Sequence, residues 1–204
     1  MSTSSTPSGA GTGTAAAATL RTRVVPPSGG PGSAEDPALR EDLLRTWVDV
    51  SEAGGSVGFV PPVDPAAVAA ALDGTLARVR EGLDVLVVLE EAGRDDAAAE
   101  RPRAVGMGVL LAGSTPITAH WRTVVRLMVA PHRQGRGAGR RLLAAVHAAA
   151  RDLGLEQLSL TVRDGQGLQP FYERAGYVVV GRHPGALRVG PGDDRDEVRL
   201  VVRL

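Results

Sequence analysis

Cysteine is absent from this 204-residue chain, which excludes disulfides, thiolate metal sites and cysteine-bound acyl intermediates together. Lysine is absent as well, so Schiff-base chemistry has no side chain to use. Charge of one sign is not in excess: Lys+Arg 23 against Asp+Glu 23 leaves a formal net charge of zero. No global field draws the chain to nucleic acid or to a membrane surface, and any anion recognition must be local. No apolar run approaches the length of a membrane span. The four histidines, His120, His132, His147 and His183, lie too far apart in sequence to suggest a metal cluster. From Met1 to about Thr19 the chain is Ser, Thr, Gly and Ala with one proline and no charged side chain. It lacks the basic and apolar regions of a signal peptide and reads as a disordered tail, 1–19, before a single domain over 20–204. A cytoplasmic protein is the expectation. With 43% apolar residues, the remainder is long enough to bury a sizeable core.

The most informative segment runs from Val129 to Arg140, Val-Ala-Pro-His-Arg-Gln-Gly-Arg-Gly-Ala-Gly-Arg. Val124, Val125, Leu127, Met128 and Val129 before it read as a buried strand. Leu142, Leu143, Val146, Ala150 and Leu153 after it recur at helical spacing. Glycines at a helix start let the backbone approach a ligand, and the free N–H groups there favour anions. Arg133, Arg136, Arg140 and Arg141 add charge suited to phosphate. A nucleotide P-loop requires lysine after its last glycine, where Arg140 stands. A dinucleotide-binding turn needs G-x-G-x-x-G, whereas Gly135, Gly137 and Gly139 follow G-x-G-x-G.

Asp36-Pro37 and Asp64-Pro65 each pair an N-cap with proline at the first helical position. Leu39, Leu43, Leu44, Trp47 and Val48 supply the apolar face of the first helix; Val68, Leu72, Leu76 and Val79 supply that of the second. Strands are expected at 20–25, 84–90, 103–112, 122–129 and 157–162, with an acidic mobile link at 93–100. A helix is expected from about Gly137 to Leu153, and a short one over 168–175. Two last strands, 177–181 and 197–204, are expected with a loop over 182–196 between them. The order β-α-α-β-β-β-α-β-α-β-β is α/β with a mixed sheet.

Gln134-Gly135-Arg136-Gly137-Ala138-Gly139 matches Q/R-x-x-G-x-G/A and resembles motif A of the GNAT superfamily of N-acetyltransferases. Pro170-Phe171-Tyr172-Glu173-Arg174-Ala175-Gly176-Tyr177 resembles that superfamily's F/L-Y-x-x-x-G-F/Y signature. The element order is also similar. Gly55-Ser56-Val57-Gly58-Phe59, Arg126-Leu127-Met128-Val129 and Val180-Gly181-Arg182-His183-Pro184-Gly185 look like the tabtoxin-resistance acetyltransferase subfamily. The resemblance implies a mostly antiparallel, twisted GNAT sheet flanked by helices. It also implies acetyl-CoA as co-substrate, no metal, and direct transfer to the primary amine of a small molecule such as an amino-acid-like metabolite, antibiotic or toxin. Acetylation of a protein N-terminus or side chain, and a non-catalytic acyl-CoA-binding regulatory domain, are the alternatives. Neither nucleic acid nor membrane is expected as a partner, and the oligomeric state is left as monomer or homodimer.

By the same resemblance, Gln134, Gly135, Arg136, Gly137, Ala138, Gly139 and Arg140 hold the pyrophosphate, and Leu127, Met128 and Val129 pair with the pantetheine arm. Tyr172 stands where many members place a tyrosine near the coenzyme sulfur. The subfamily often carries carboxylates where this chain has Thr123 and Thr161, which implies a different acceptor or a different base. For the base, His120 has a suitable intrinsic pKa of about 6.5; Asp164 and Glu52 are alternatives. His183 and Asp193 to Asp196 fall in the last expected loop, where they could cover an acceptor.

Overall fold

The computed structural model describes residues 19–92 and 101–204. The expected tail and most of the expected acidic link lie outside the described residues. The chain order is β1 (Leu20–Val24), α1 (Pro37–Glu52), α2 (Pro65–Arg80), β2 (Val85–Glu91), β3 (Arg103–Ala112), β4 (Trp121–Val129), α3 (Ala138–Asp152), β5 (Gln157–Arg163), α4 (Gln169–Glu173), β6 (Val178–Gly190) and β7 (Asp193–Arg203). That is the order the sequence predicts.

One seven-stranded sheet runs β1-β2-β3-β4-β5-β7-β6. Its neighbours are antiparallel except for β4 and β5, which run parallel. Both faces are covered, and β2 shows why the sequence demands it. Val87 and Leu89 point to a core shared with α3, whereas Leu86 and Val88 point to a core shared with α1 and α2. All four are fully buried, so period-2 alternation here separates two apolar layers rather than core from water. The helices begin where their caps dictate: the Asp36 carboxylate accepts from Ala38 N–H and Asp64 accepts from Ala66 N–H, each followed by proline. Asp42 ties α1 to the sheet, accepting from Arg101 at 2.6 Å and from Ala104 N–H at 3.1 Å.

One expectation is corrected. Residues 182–196 are not a loop; β6 and β7 continue as a long hairpin that turns at 191–192. Its outer half buries little on either face, so it lacks the apolar alternation that announces a strand. It is held instead by backbone pairing and by cross-strand pairs such as Arg188–Asp194 and Arg182–Asp196.

Candidate active site

Two irregularities of β4 open the sheet. Its parallel pairing with β5 stops after three partners, the last being Thr123 with Ser159. Beyond that point the pairing ends, and among the described residues the β5-facing backbone of Val124–Val129 has no strand partner. On the other edge Met107 pairs with Met128 and Val109 with Val125, so Arg126 and Leu127 together oppose the single residue Gly108. This is a β-bulge, and Arg126 carries its backbone signature, a left-handed φ of 54°. Gly108 sits close beside it: a Cβ there would meet Leu127 Cδ1 at 2.8 Å and Val146 Cγ2 at 3.0 Å, so those side chains would have to move. A groove of about 1910 Å³ occupies the gap, lined by β4, β5, the start of α3, α4 and the α1–α2 connection. That exceeds the usual range for a drug-sized ligand, about 300–1,000 Å³.

At one end lies the turn that the sequence singled out. Gly135 and Gly137 adopt φ of 75° and 81°, conformations that cost a side chain-bearing residue about 1–2 kcal/mol. Gly137 is the N-cap of α3 and offers no capping side chain. Arg141 is the first residue whose N–H is taken, by Gly137 O at 3.0 Å. Among the described residues, the N–H groups from Gly135 to Arg140 therefore find no acceptor, as an anion cradle at a helix start requires. Gln134 braces this turn from below, its Nε2 donating to Val129 O at 2.8 Å. Arg133 does not serve the cradle: Glu91 of β2 takes its guanidinium in an ion pair. Arg136, Arg140 and Arg141 remain exposed around the turn.

Tyr172 of α4 lines the groove and is 7% exposed. Its ring stands edge-on to Phe171 at 4.9 Å and to Tyr177 at 5.5 Å. Burial pushes its pKa up to about 12, and its hydroxyl has no hydrogen-bond partner among the described residues. Tyr177, by contrast, is satisfied by His147 Nε2 at 3.0 Å. His147 of α3 also lines the groove, and its pKa is held below the ordinary value by burial and then by the charge of Arg151.

The other end lies under α1 and α2. Trp47 and Phe59 meet edge-on at 5.6 Å, and the Trp47 indole donates to Val57 O at 2.9 Å, fixing the α1–α2 connection. The Gly54 carbonyl accepts from Arg163 at 2.8 Å and from Gln166 at 2.7 Å, joining that connection to the one between β5 and α4. Asp84 is the carboxylate in this lining, and both its oxygens are engaged, by Arg78 at 2.6 and 2.9 Å and by Ala112 N–H at 2.9 Å. Burial pushes its pKa up, but these hydrogen bonds and the charges of Arg78 and Arg122 outweigh it and hold the carboxyl below its usual value.

The groove thus gathers Leu127, Met128, Val129, Gln134, Gly135, Gly137, Gly139, Arg140 and Tyr172 from the predicted set. The Ala138 methyl is buried beneath the turn and the Arg136 side chain projects to solvent, so these two contribute main-chain N–H groups. His120 is not brought in. It is exposed ahead of β4, at the end of that strand remote from Val129, and the groove does not reach it. The groove lining therefore lends no support to the base role expected of it. Glu52 accepts from Val63 N–H, Asp164 pairs with Arg182, and His183 sits opposite Glu197 in the hairpin. Thr161 lines the groove, whereas Thr123 lies in the paired part of β4. Sequence reasoning missed His147, Asp84 and Arg126. His147 and Asp84 fit their elements as ordinary helix and strand-edge residues, and the displaced side chain of Arg126 is a product of the bulge. Among the described residues no group of three or more His, Asp or Glu is placed to hold a metal, and no helix is long and apolar enough to cross a membrane.

Residues 96–185 match the family model of the acetyltransferase (GNAT) domain. The fold agrees over nearly the whole chain. A protein assigned as a phosphinothricin N-acetyltransferase superposes with a TM-score of 0.68 at 16% identity, covering 91% of this chain and 99% of its own. A protein from Salmonella typhimurium assigned as an acetyltransferase, solved with its cofactor acetyl-CoA, gives 0.64 at 18%, covering 91% and 94%. A ribosomal-protein-alanine N-acetyltransferase from Brucella melitensis gives 0.64 at 20%, covering 91% and 99%. The chain has the fold of these acetyltransferases, and its residues 96–185 carry the match to the acetyltransferase (GNAT) domain.

Proposed function

We propose that this protein transfers the acetyl group of acetyl-CoA directly to the primary amine of a small molecule. The observation that carries the reading is the groove between the splayed β4 and β5, with unpaired N–H donors at one end and a recess walled by Trp47 and Phe59 at the other. Acetyl-CoA supplies an activated thioester; the amine nitrogen forms the new C–N bond as the C–S bond breaks, and the proton it gives up passes through water to the departing thiolate, leaving the amide and CoA thiol. The turn Gln134 to Arg140 holds the pyrophosphate through main-chain N–H groups. The open edge of β4 at Leu127 to Val129 pairs with the pantetheine arm, and an N–H near Val129 faces the thioester oxygen. One such donor is typically worth about 3 kcal/mol of barrier.

Tyr172 serves the departing sulfur. With its pKa raised to about 12, complete proton transfer to a thiolate of pKa about 8.5 is uphill by about 5 kcal/mol. Its role is a hydrogen bond that strengthens as charge develops on sulfur, and its unpartnered hydroxyl is free to make one. Asp84 is tied to Arg78, and His147 is bonded to Tyr177, so neither stands free to take the amine proton. The acceptor enters as the neutral amine, its proton having gone to water. The bonds from Arg163 and Gln166 to Gly54, which join the connections flanking the recess, favour a small acceptor over a polypeptide.

The test begins with melting temperatures in excess acetyl-CoA, CoA and NAD. Ligand at about 100 times its dissociation constant stabilises by about 2.7 kcal/mol, which raises the midpoint by roughly 5–10 °C in a domain of this size. A rise with acetyl-CoA and CoA, followed by CoA release with an amine, is the expected result. No rise with either overturns the reading.

A further inference from the structure

Arg126 stands at the β4 bulge, and the direction of its side chain sets the character of the recess. Val124 and Leu127 pack toward the α3 core, and Val125 and Met128 toward the α1–α2 core. The bulge places Arg126 beside Val125 on the α1–α2 side, where its guanidinium lies over the Trp47 ring, 4.9 Å from the centroid. A φ of 54° is a conformation that glycine takes freely and arginine does not. The bulge sets that conformation, and with it turns the side chain into the groove.

The charge balance is equally specific. Arg126 is half-buried, lines the groove, and has neither a hydrogen bond nor an ion pair among the described residues. Asp84 is near enough to be felt, but its oxygens are filled by Arg78 and Ala112. The Arg78–Asp84 pair is therefore neutral in itself, and Arg126 brings to the recess a positive charge that no carboxylate pairs among the described residues. Burial disfavours that charge, shown by its pKa lying below the ordinary arginine value. An anion arriving with the ligand would satisfy it, and a planar guanidinium fits a carboxylate with two parallel hydrogen bonds.

We infer that Arg126 is the acceptor's anchor, and that the acceptor is an amine whose own skeleton carries a carboxylate, held against the Trp47–Phe59 wall while its amine reaches the thioester. This rests on the acetyltransferase reading and names the substrate class of that site. A cationic polyamine is disfavoured by the same charge.

The test uses the full chain, acetyl-CoA, and matched probes: the twenty amino acids, their carboxamides and the corresponding decarboxylated amines. At least one free acid is expected to exceed its amide and its amine by tenfold or more in kcat/KM. Arg126→Gln is expected to raise the KM for that acid by about 10- to 100-fold, to the level of the amide, because hydrogen bonds between charged groups are lost. The KM for acetyl-CoA should stay within about twofold, and Arg126→Lys should recover part of the preference. Melting of the CoA-loaded protein gives a readout independent of turnover: the acid should raise the midpoint in the wild type and not in Arg126→Gln. Equal use of acid, amide and amine, or an unchanged preference in Arg126→Gln, overturns the inference while acetyl transfer stands. Acetylation confined to polyamines or peptides does the same. No response to acetyl-CoA and none to any amino acid overturns both.

Discussion

Replacing Gly137 separates the two demands made on the turn. Its φ is 81°, and an added Cβ would meet Arg140 Nη2 alone, at 3.4 Å. Space is therefore available and the cost is in the backbone. Gly137→Ala should lose about 1–2 kcal/mol, lowering the melting midpoint by roughly 2–8 °C in a domain of this length. Gly137→Glu bears the same strain, less about 0.3–1 kcal/mol recovered by an anion at a helix start. For coenzyme the two differ sharply. A carboxylate about 5 Å from one phosphate charge, at an effective dielectric of about 20, repels it by about 3 kcal/mol. A pyrophosphate brings more than one such charge, and the carboxylate also competes for the donors from Gly135 to Arg140. Calorimetric titration with CoA should find affinity in Gly137→Ala within about tenfold of wild type. In Gly137→Glu it should fall by at least about 100-fold, at a midpoint no lower than that of the alanine variant. If the glutamate variant binds CoA as the alanine variant does, the turn is not the phosphate site.

The two tyrosines give opposite signatures. Tyr172→Phe removes a hydroxyl with no partner, so stability should hold or rise slightly while turnover drops on the order of 10²-fold; wild-type turnover would reduce Tyr172 to a packing residue. Tyr177→Phe breaks the 3.0 Å bond to His147, which should cost about 1 kcal/mol and leave turnover near wild type. His147 sets a pH dependence. Its folded pKa lies below the ordinary 6.5, so the unfolded chain binds the proton first; its contribution is full above about pH 6.5 and is lost as the pH falls toward the folded value. His147→Gln should flatten the midpoint between about pH 7 and 5. An unchanged slope would assign the effect to another group.

How far the site was legible can be followed residue by residue. The Asp-Pro caps, the α3 stripe and the β2 and β3 runs signal themselves locally, because capping and apolar periodicity are properties of a few consecutive side chains. The turn before α3 was legible for the same reason: its conformation lies in the backbone of seven consecutive residues, and the glycines announce it. The outer half of the β6–β7 hairpin was not, because its strands are held by partners rather than by a buried face. His120 looked suitable in its distance along the chain, yet β4 carries it away from the groove. Arg133 looked like a phosphate ligand and is claimed by Glu91, 42 positions away.

The sequence by itself determined the element order, the apolar faces of the helices and the glycine-rich turn at the start of α3, since each is written in residues that are neighbours or one helical turn apart. Tertiary structure decided what the groove presents to an acceptor. The bulge that aims Arg126 at Trp47 exists only because β3 sets Gly108 against two residues of β4. The carboxylate that could have neutralised Arg126 is occupied by Arg78 and by the end of β3. Charge balance and direction at a site are sums over groups brought together by the sheet, and no local stretch of the chain contains them.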